Sequence, residues 1–203
     1  MPFLSSLAFI ILVITAITIL VLRDWRIVSG ALVLQYLAAF ILVAQSWPVG
    51  MAVVKLIVGW MATAAISLTY FRKEDIPLIT ETSASFIFRG LMGLLIIVLV
   101  FIAAPALQSN VFPGLNLLVL QSGLMLIGVA MMQLGTTSDP FLTIVGLLSV
   151  LSGFEIIYAG LELSTLLTGL LAIVNLGLAL VGVYFIVKVD DLKVLAPGEE
   201  DEE

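Results

Sequence analysis

The chain is a succession of long apolar runs separated by short polar turns. Residues 3–22, 27–45, 49–71, 90–107, 115–134, 141–161 and 164–187 are each predominantly apolar. Each is close to the ~20 residues that carry an α-helix across the hydrocarbon core of a bilayer. The pattern therefore predicts an all-α, polytopic membrane helix bundle of about seven transmembrane helices. Trp25 and Trp47 bracket the second run, and indole suits the headgroup boundary. The most polar internal stretch is 72-RKEDIPLITETSASFIFR-89, parts of which are expected to lie along the membrane surface. The first run has no basic residues before it and no small-residue cleavage pattern before Arg23, so it reads as an anchored helix rather than a removed signal peptide.

The basic residues orient the bundle. Arg23 and Arg26 follow the first run, Arg72, Lys73 and Arg89 flank the third and fourth, and Lys188 and Lys193 follow the seventh. With seven spans, all of these fall on one side, and the opposite turns carry no Lys or Arg. The positive-inside rule then places the N-terminus outside and the C-terminus in the cytoplasm. A missed helix would have scattered the charges between the two sides. No soluble domain fits between the runs. Residues 1–192 form a single transmembrane domain, and 193–203, ending 197-PGEEDEE-203, form an acidic tail expected to be solvated and disordered.

Composition agrees with the pattern and narrows the chemistry. The 203 residues are 62% hydrophobic and only 11% charged, against about a quarter charged in a soluble domain. Net charge is −6, most of it contributed by the tail, and no basic stripe suggests a nucleic acid partner. There is no cysteine and no histidine. A Cys/His zinc site, a thiolate-bound iron–sulfur cluster, a His-ligated haem and a His-dependent nucleophilic site are thus out of reach. No cofactor and no catalytic residue is expected.

The candidate chemistry lies in three ionisable residues. Lys55 stands in the third run, Glu155 in the sixth, and Glu162 in the turn 160-GLELS-164. Intramembrane ionisable residues are rare, usually face a bundle interior or a wet cavity, and mark functional sites. Glu155 and Glu162 are two helical turns apart and share nearly the same facing. Glu162 reads either as a second pathway carboxylate or as a plain interfacial residue. Lys55 and Glu155 lie at matching depths below the outer surface, so an ion pair between them is allowed. Such a pair is either a static clip between helices or a proton site in which one partner changes protonation. Gln45, Asn116, Gln121, Gln133 and Asn175 either extend a polar path or make separate interhelical hydrogen bonds. Gly146, Gly153 and Gly160 recur every seven residues on one stripe and read as a packing seam. No internal repeat is evident.

The order 23-RDWR, 29-SGALVLQYLAAFILVA, 51-MAVVKLIVGWMATAAISLTYFRK, 152-SGFEIIYAGLEL and 172-AIVNLGLALVGVYF resembles component E of hydrogenase-4 type membrane complexes. The last third is similar to the K-type (4L) subunit of NADH:quinone oxidoreductase and to the C-type subunit of multisubunit cation/proton antiporters. The resemblance implies a small subunit without a redox centre, seated beside large antiporter-like membrane subunits. It implies a buried carboxylate role for Glu155 and a buried lysine role for Lys55 on a proton or cation pathway. K-type subunits carry buried glutamates on two neighbouring helices, whereas Glu155 alone is securely intramembrane here. The expected setting is a bacterial or archaeal cytoplasmic membrane. A purely structural or assembly subunit of a respiratory or photosynthetic complex is the alternative. A stand-alone transporter fits less well, because few polar groups lie at the midplane.

Overall fold

Every apolar run folds into one helix. A computed structural model describes residues 2–72 and 83–195, with α1 (Pro2–Val21), α2 (Trp25–Val43), α3 (Val49–Phe71), α4 (Ser83–Asn110), α5 (Leu117–Thr136), α6 (Pro140–Leu161) and α7 (Thr165–Leu195). All seven are long and apolar enough to cross a membrane, and no strand occurs among the described residues. The protein is an integral membrane helix bundle.

The polar turns start the helices by satisfying their first N–H groups. The side chain of Asp24 accepts from the Arg26 N–H at the start of α2, and that of Asn116 accepts from the Leu118 N–H at the start of α5. Asp139 accepts from the Phe141 and Leu142 N–H groups, and Pro140 at the first position of α6 has no N–H to leave unpaired.

Two helices differ in extent from the sequence reading. Residues 83–89, expected within a surface-lying stretch, are the first turns of α4, while 73–82 lie outside the described residues. At its other end α4 passes through Pro105 and runs to Asn110. Its last turns are held by side chains: Gln108 donates to the Leu115 carbonyl, and Ser109 and Asn110 donate to the Ala106 carbonyl. The second difference is α7, which continues through 188-KVDDLK-193 to Leu195, because no Gly or Pro interrupts it before Pro197. The rest of the acidic tail, 196–203, lies outside the described residues.

The helices pack as two rows. In one row α1 packs on α2 and α2 on α3; in the other α5 packs on α6 and α6 on α7. The rows lie face to face, with α1 on α5, α2 on α6 and α3 on α7, and α4 covers the end beside α1 and α5. Paired helices run the same way. Arg23 after α1 donates to the carbonyl of Thr136 at the end of α5, and Trp47 after α2 donates to the carbonyl of Glu162 after α6. Spacing along the chain is nearly constant between the rows. Pro2 and Leu117, which open α1 and α5, lie 115 residues apart, as do the caps Asp24 and Asp139. The bundle is thus built as two parallel three-helix units joined by α4, an order that residue identities do not display. The described basic residues outside α3 cluster at the end where α1, α3, α5 and α7 finish, which the positive-inside rule makes the cytoplasmic end.

Closest approach occurs between α5 and α6. A Cβ at Gly123 would fall 2.7 Å from the Gly153 carbonyl oxygen, and one at Gly153 would fall 2.8 Å from that of Gly123. Gly146 receives Leu134 and Gly160 receives Leu115, so the seven-residue glycine stripe is the seam between these helices.

A methyl group at the seam has nowhere to go. We expect Gly153→Ala to destabilise the bundle by about 1–3 kcal/mol. Gly169→Ala, facing open space, should be neutral or stabilising by up to about 1 kcal/mol. Unfolding in mixed detergent micelles measures both, and equal effects would contradict the packing described.

Candidate functional site

Lys55 and Glu155 form a buried ion pair. Each residue is only 5% exposed. Lys55 comes six residues after the start of α3 and Glu155 six residues before the end of α6, so their depths match, at roughly 9 Å of helix rise. The surrounding helices explain how the pair is reached. α2, α3, α7 and α6 form a ring in which each packs on the next. Lys55 on α3 and Glu155 on α6 span one diagonal of this ring. Tyr36 on α2 and Asn175 on α7 span the other, with the phenol donating to the Asn175 Oδ1 at 3.1 Å. The Lys55 ammonium lies 5.7 Å from the centre of the Tyr36 ring.

Room for this crossing comes from Gly59, one turn beyond Lys55 on α3. A Cβ there would lie 2.2 Å from the Tyr36 ring. The absent side chain lets the phenol lie against the α3 backbone and extend to α7. A third bar lies beside the first two, where the Gln35 amide on α2 donates to the Ser149 hydroxyl on α6 at 2.9 Å. All three bars join one row of helices to the other. On α6, Ser149, Ser152 and Glu155 recur every third residue and form one polar stripe on an otherwise apolar helix. The Ser152 Oγ and the Gln35 Oε1 are buried without a hydrogen-bond partner.

Against the pair lies a cavity of about 10 Å³, lined by Trp47, Lys55, Glu155, Thr168 and Asn175 among others. That is about the room of one water molecule, and the four polar side chains supply the partners a buried water requires. On the inner side Leu32, Ile66, Val145 and Leu148 are fully or almost fully buried, and they close the centre with hydrocarbon. Below this layer, Tyr70 on α3 donates to Asp139 at the start of α6, at 3.3 Å.

Of the other residues singled out from sequence, Trp47 and Asn175 line the cavity at this centre and the rest lie apart from it. Glu162 is exposed just past the end of α6, where its carbonyl accepts from Trp47. Trp47 is buried rather than facing lipid, since its indole N–H is used across the rows and its ring meets Tyr158 edge-on. Of the amide residues, Asn175 alone belongs to the site. Gln45 is exposed and bonds Ser5, Asn116 caps α5, and Gln133 donates to the Leu142 carbonyl. Gln121 is half-buried on α5. Gln35, Tyr36, Ser149, Ser152 and Thr168 were not foreseen. The Ser-x-x-Ser-x-x-Glu spacing on α6 and the adjacent Gln35-Tyr36 within an apolar run were the available signals. Among the described residues, no group of three Asp or Glu side chains gathers where a metal ion could bind.

A buried charge left without its partner is costly. Glu155→Ala alone should destabilise the bundle by about 3–5 kcal/mol, while Lys55→Met with Glu155→Leu should be close to neutral or stabilising. Detergent unfolding of the single and double variants checks this. A double variant as unstable as the single would mean that the ion pair is not what the site is built around.

Compared with protein families, curated proteins and solved structures, the chain matches none.

Proposed function

We propose that this chain is a small membrane subunit of a complex-I-like, group-4-hydrogenase-like or multisubunit antiporter assembly. Within it, Lys55 and Glu155 form a station on a proton or cation pathway, and the chain carries no redox centre of its own. The observation behind the pathway is the ion pair itself. Two charges are held inside a membrane bundle, at the interface between its two rows, beside a cavity of water size. Stability does not call for them, because well-packed apolar residues in place of a buried pair are usually as stable or more so. Each charge also opposes insertion, by up to about 2.5–3.5 kcal/mol at a helix centre and by less nearer its end. Intramembrane ionisable pairs of this kind mark ion and proton routes. The choice of assembly rests on the resemblance to component E and to the K-type and C-type subunits. The setting is a bacterial or archaeal cytoplasmic membrane, with the N-terminus outside. The window of α4 that crosses the membrane is only 17% buried and that of α7 only 22%, so both offer broad apolar faces to lipid or to larger antiporter-like subunits.

One feature favours a second reading. The crossing bars fasten the two rows to each other, as a static clip in a purely structural subunit would. Glu155→Gln and Lys55→Met in the native assembly separate the two readings. On the pathway reading, the particle assembles and its proton or sodium translocation is lost. Unchanged translocation rules out the pathway, and a loss of assembled particle with normal translocation per particle assigns the pair a structural role. Mild-detergent purification followed by mass spectrometry tests the assembly: large antiporter-like subunits should accompany the chain. A particle containing this chain alone would contradict subunit membership.

A further inference from the structure

We propose that a cleft at the cytoplasmic end of the bundle, where α1, α4 and α5 meet, binds the phosphodiester headgroup of an anionic phospholipid. The cleft has a volume of about 420 Å³ and is lined, among the described residues, by Arg23, Ala84, Ser85, Phe88, Arg89 and Thr136. Lys55 and Glu155 lie toward the opposite end of the bundle, so the site is independent of the pathway reading.

Two guanidinium groups reach the cleft from different helices. Arg23, just past the end of α1, donates from Nη2 to the Thr136 carbonyl at 2.8 Å, which holds it against the end of α5. Arg89 stands in the second turn of α4 and is only 3% exposed. Other basic residues at this end are placed differently. Arg26 is exposed over the face of Trp25, and Lys188 is exposed beside Tyr184. Solvated positions of that kind are all that the positive-inside rule requires. Bringing two arginines into one cleft does more. A guanidinium stays charged at any physiological pH, and its planar fork of N–H donors matches phosphate oxygens two at a time. Basic pockets between transmembrane helices on the cytoplasmic side suit the headgroups of anionic lipids.

The surface leading from the cleft toward the membrane centre favours a lipid over free phosphate. Phe88 lines the cleft and also opens an apolar stripe on α4, continued by Leu91, Leu95 and Leu99 at steps of three and four residues. All four are at least half exposed. From Phe88 to Leu99 the helix rises roughly 16 Å, about the depth of one leaflet of a bilayer whose hydrocarbon core is ~30 Å thick. One lipid molecule therefore meets the cleft with its headgroup and the stripe with its acyl chain. Inorganic phosphate has only the cleft to use.

The test is native mass spectrometry of the full-length chain in mild detergent. Phosphatidylglycerol and zwitterionic phosphatidylcholine of equal chain length are offered together at equal concentration. We expect phosphatidylglycerol to be retained over phosphatidylcholine by roughly fivefold or more, the scale of one basic residue near an anionic lipid. Arg23→Gln with Arg89→Gln should abolish the preference, while Arg26→Gln should leave it unchanged. Ala84→Trp fills the cleft from an exposed position with both arginines in place, and it should abolish the preference as well. This variant decides the matter if the arginine pair does not fold. Equal retention of the two lipids by the unaltered chain would overturn the inference, and so would a preference that survives Ala84→Trp. Displacement of the lipid by inorganic phosphate, but not by sodium chloride at equal ionic strength, would give the cleft to a free anion and overturn it also.

Discussion

The architecture turns on one electrostatic constraint, the burial of an ammonium and a carboxylate within a bundle surrounded by hydrocarbon. Neither Lys55 nor Glu155 is tolerable there alone, and they stand on helices that are not neighbours in the ring. The helices around them must therefore leave a centre that two long side chains can cross. Gly59 supplies part of that space, and the Tyr36 ring fills it. Asn175 then anchors the phenol from the opposite helix. The second diagonal thus braces the first, and the Gln35–Ser149 bond adds a third tie between the rows.

This arrangement gives the two sides of the bundle different tasks. On the α1–α5 side, contact is mostly apolar and small-residue packing, with Gly123 against Gly153 bringing α5 and α6 to backbone contact. On the α3–α7 side, the ring formed with α2 and α6 encloses the polar centre. α6 faces both sides, and its membrane window is the most buried of the seven, at 61%. Its glycine stripe serves the first side, and Ser149, Ser152 and Glu155 serve the second. An interface between paired units is where membrane transport proteins commonly place their ion sites. Here it is also the most natural place to hide two charges.

Much of this was legible in the sequence, and what was not has a physical reason. Run length marked the helices, and the one-sided placement of arginines and lysines set their directions. Equal depth of Lys55 and Glu155 below their helix ends already permitted the pair. Rotation of each helix about its axis was not readable, because a helix apolar on every side does not announce which face is inside. Trp47 therefore looked like an interfacial anchor although it is buried, and Gln133 looked like Asn175 although only Asn175 reaches the centre. α4 was ended too early because the helix outlasts its apolar run, which stops at residue 107. Gln108, Ser109 and Asn110 hold the turns beyond it by bonds that only the folded chain shows. The pairing of the two units was hidden because equal spacing, rather than equal residues, relates them.

A pair present for its chemistry, and not merely to fasten helices, must fail when its two residues are exchanged. The most direct measurement is ion translocation by the native assembly carrying the exchanged pair, Lys55→Glu with Glu155→Lys. Exchange keeps two opposite charges in the same place and so preserves the fastening, while moving the carboxylate off the α6 stripe and onto α3. The expected result is an assembled particle that no longer translocates. Full translocation by the exchanged pair would contradict it and leave Lys55 and Glu155 as a clip.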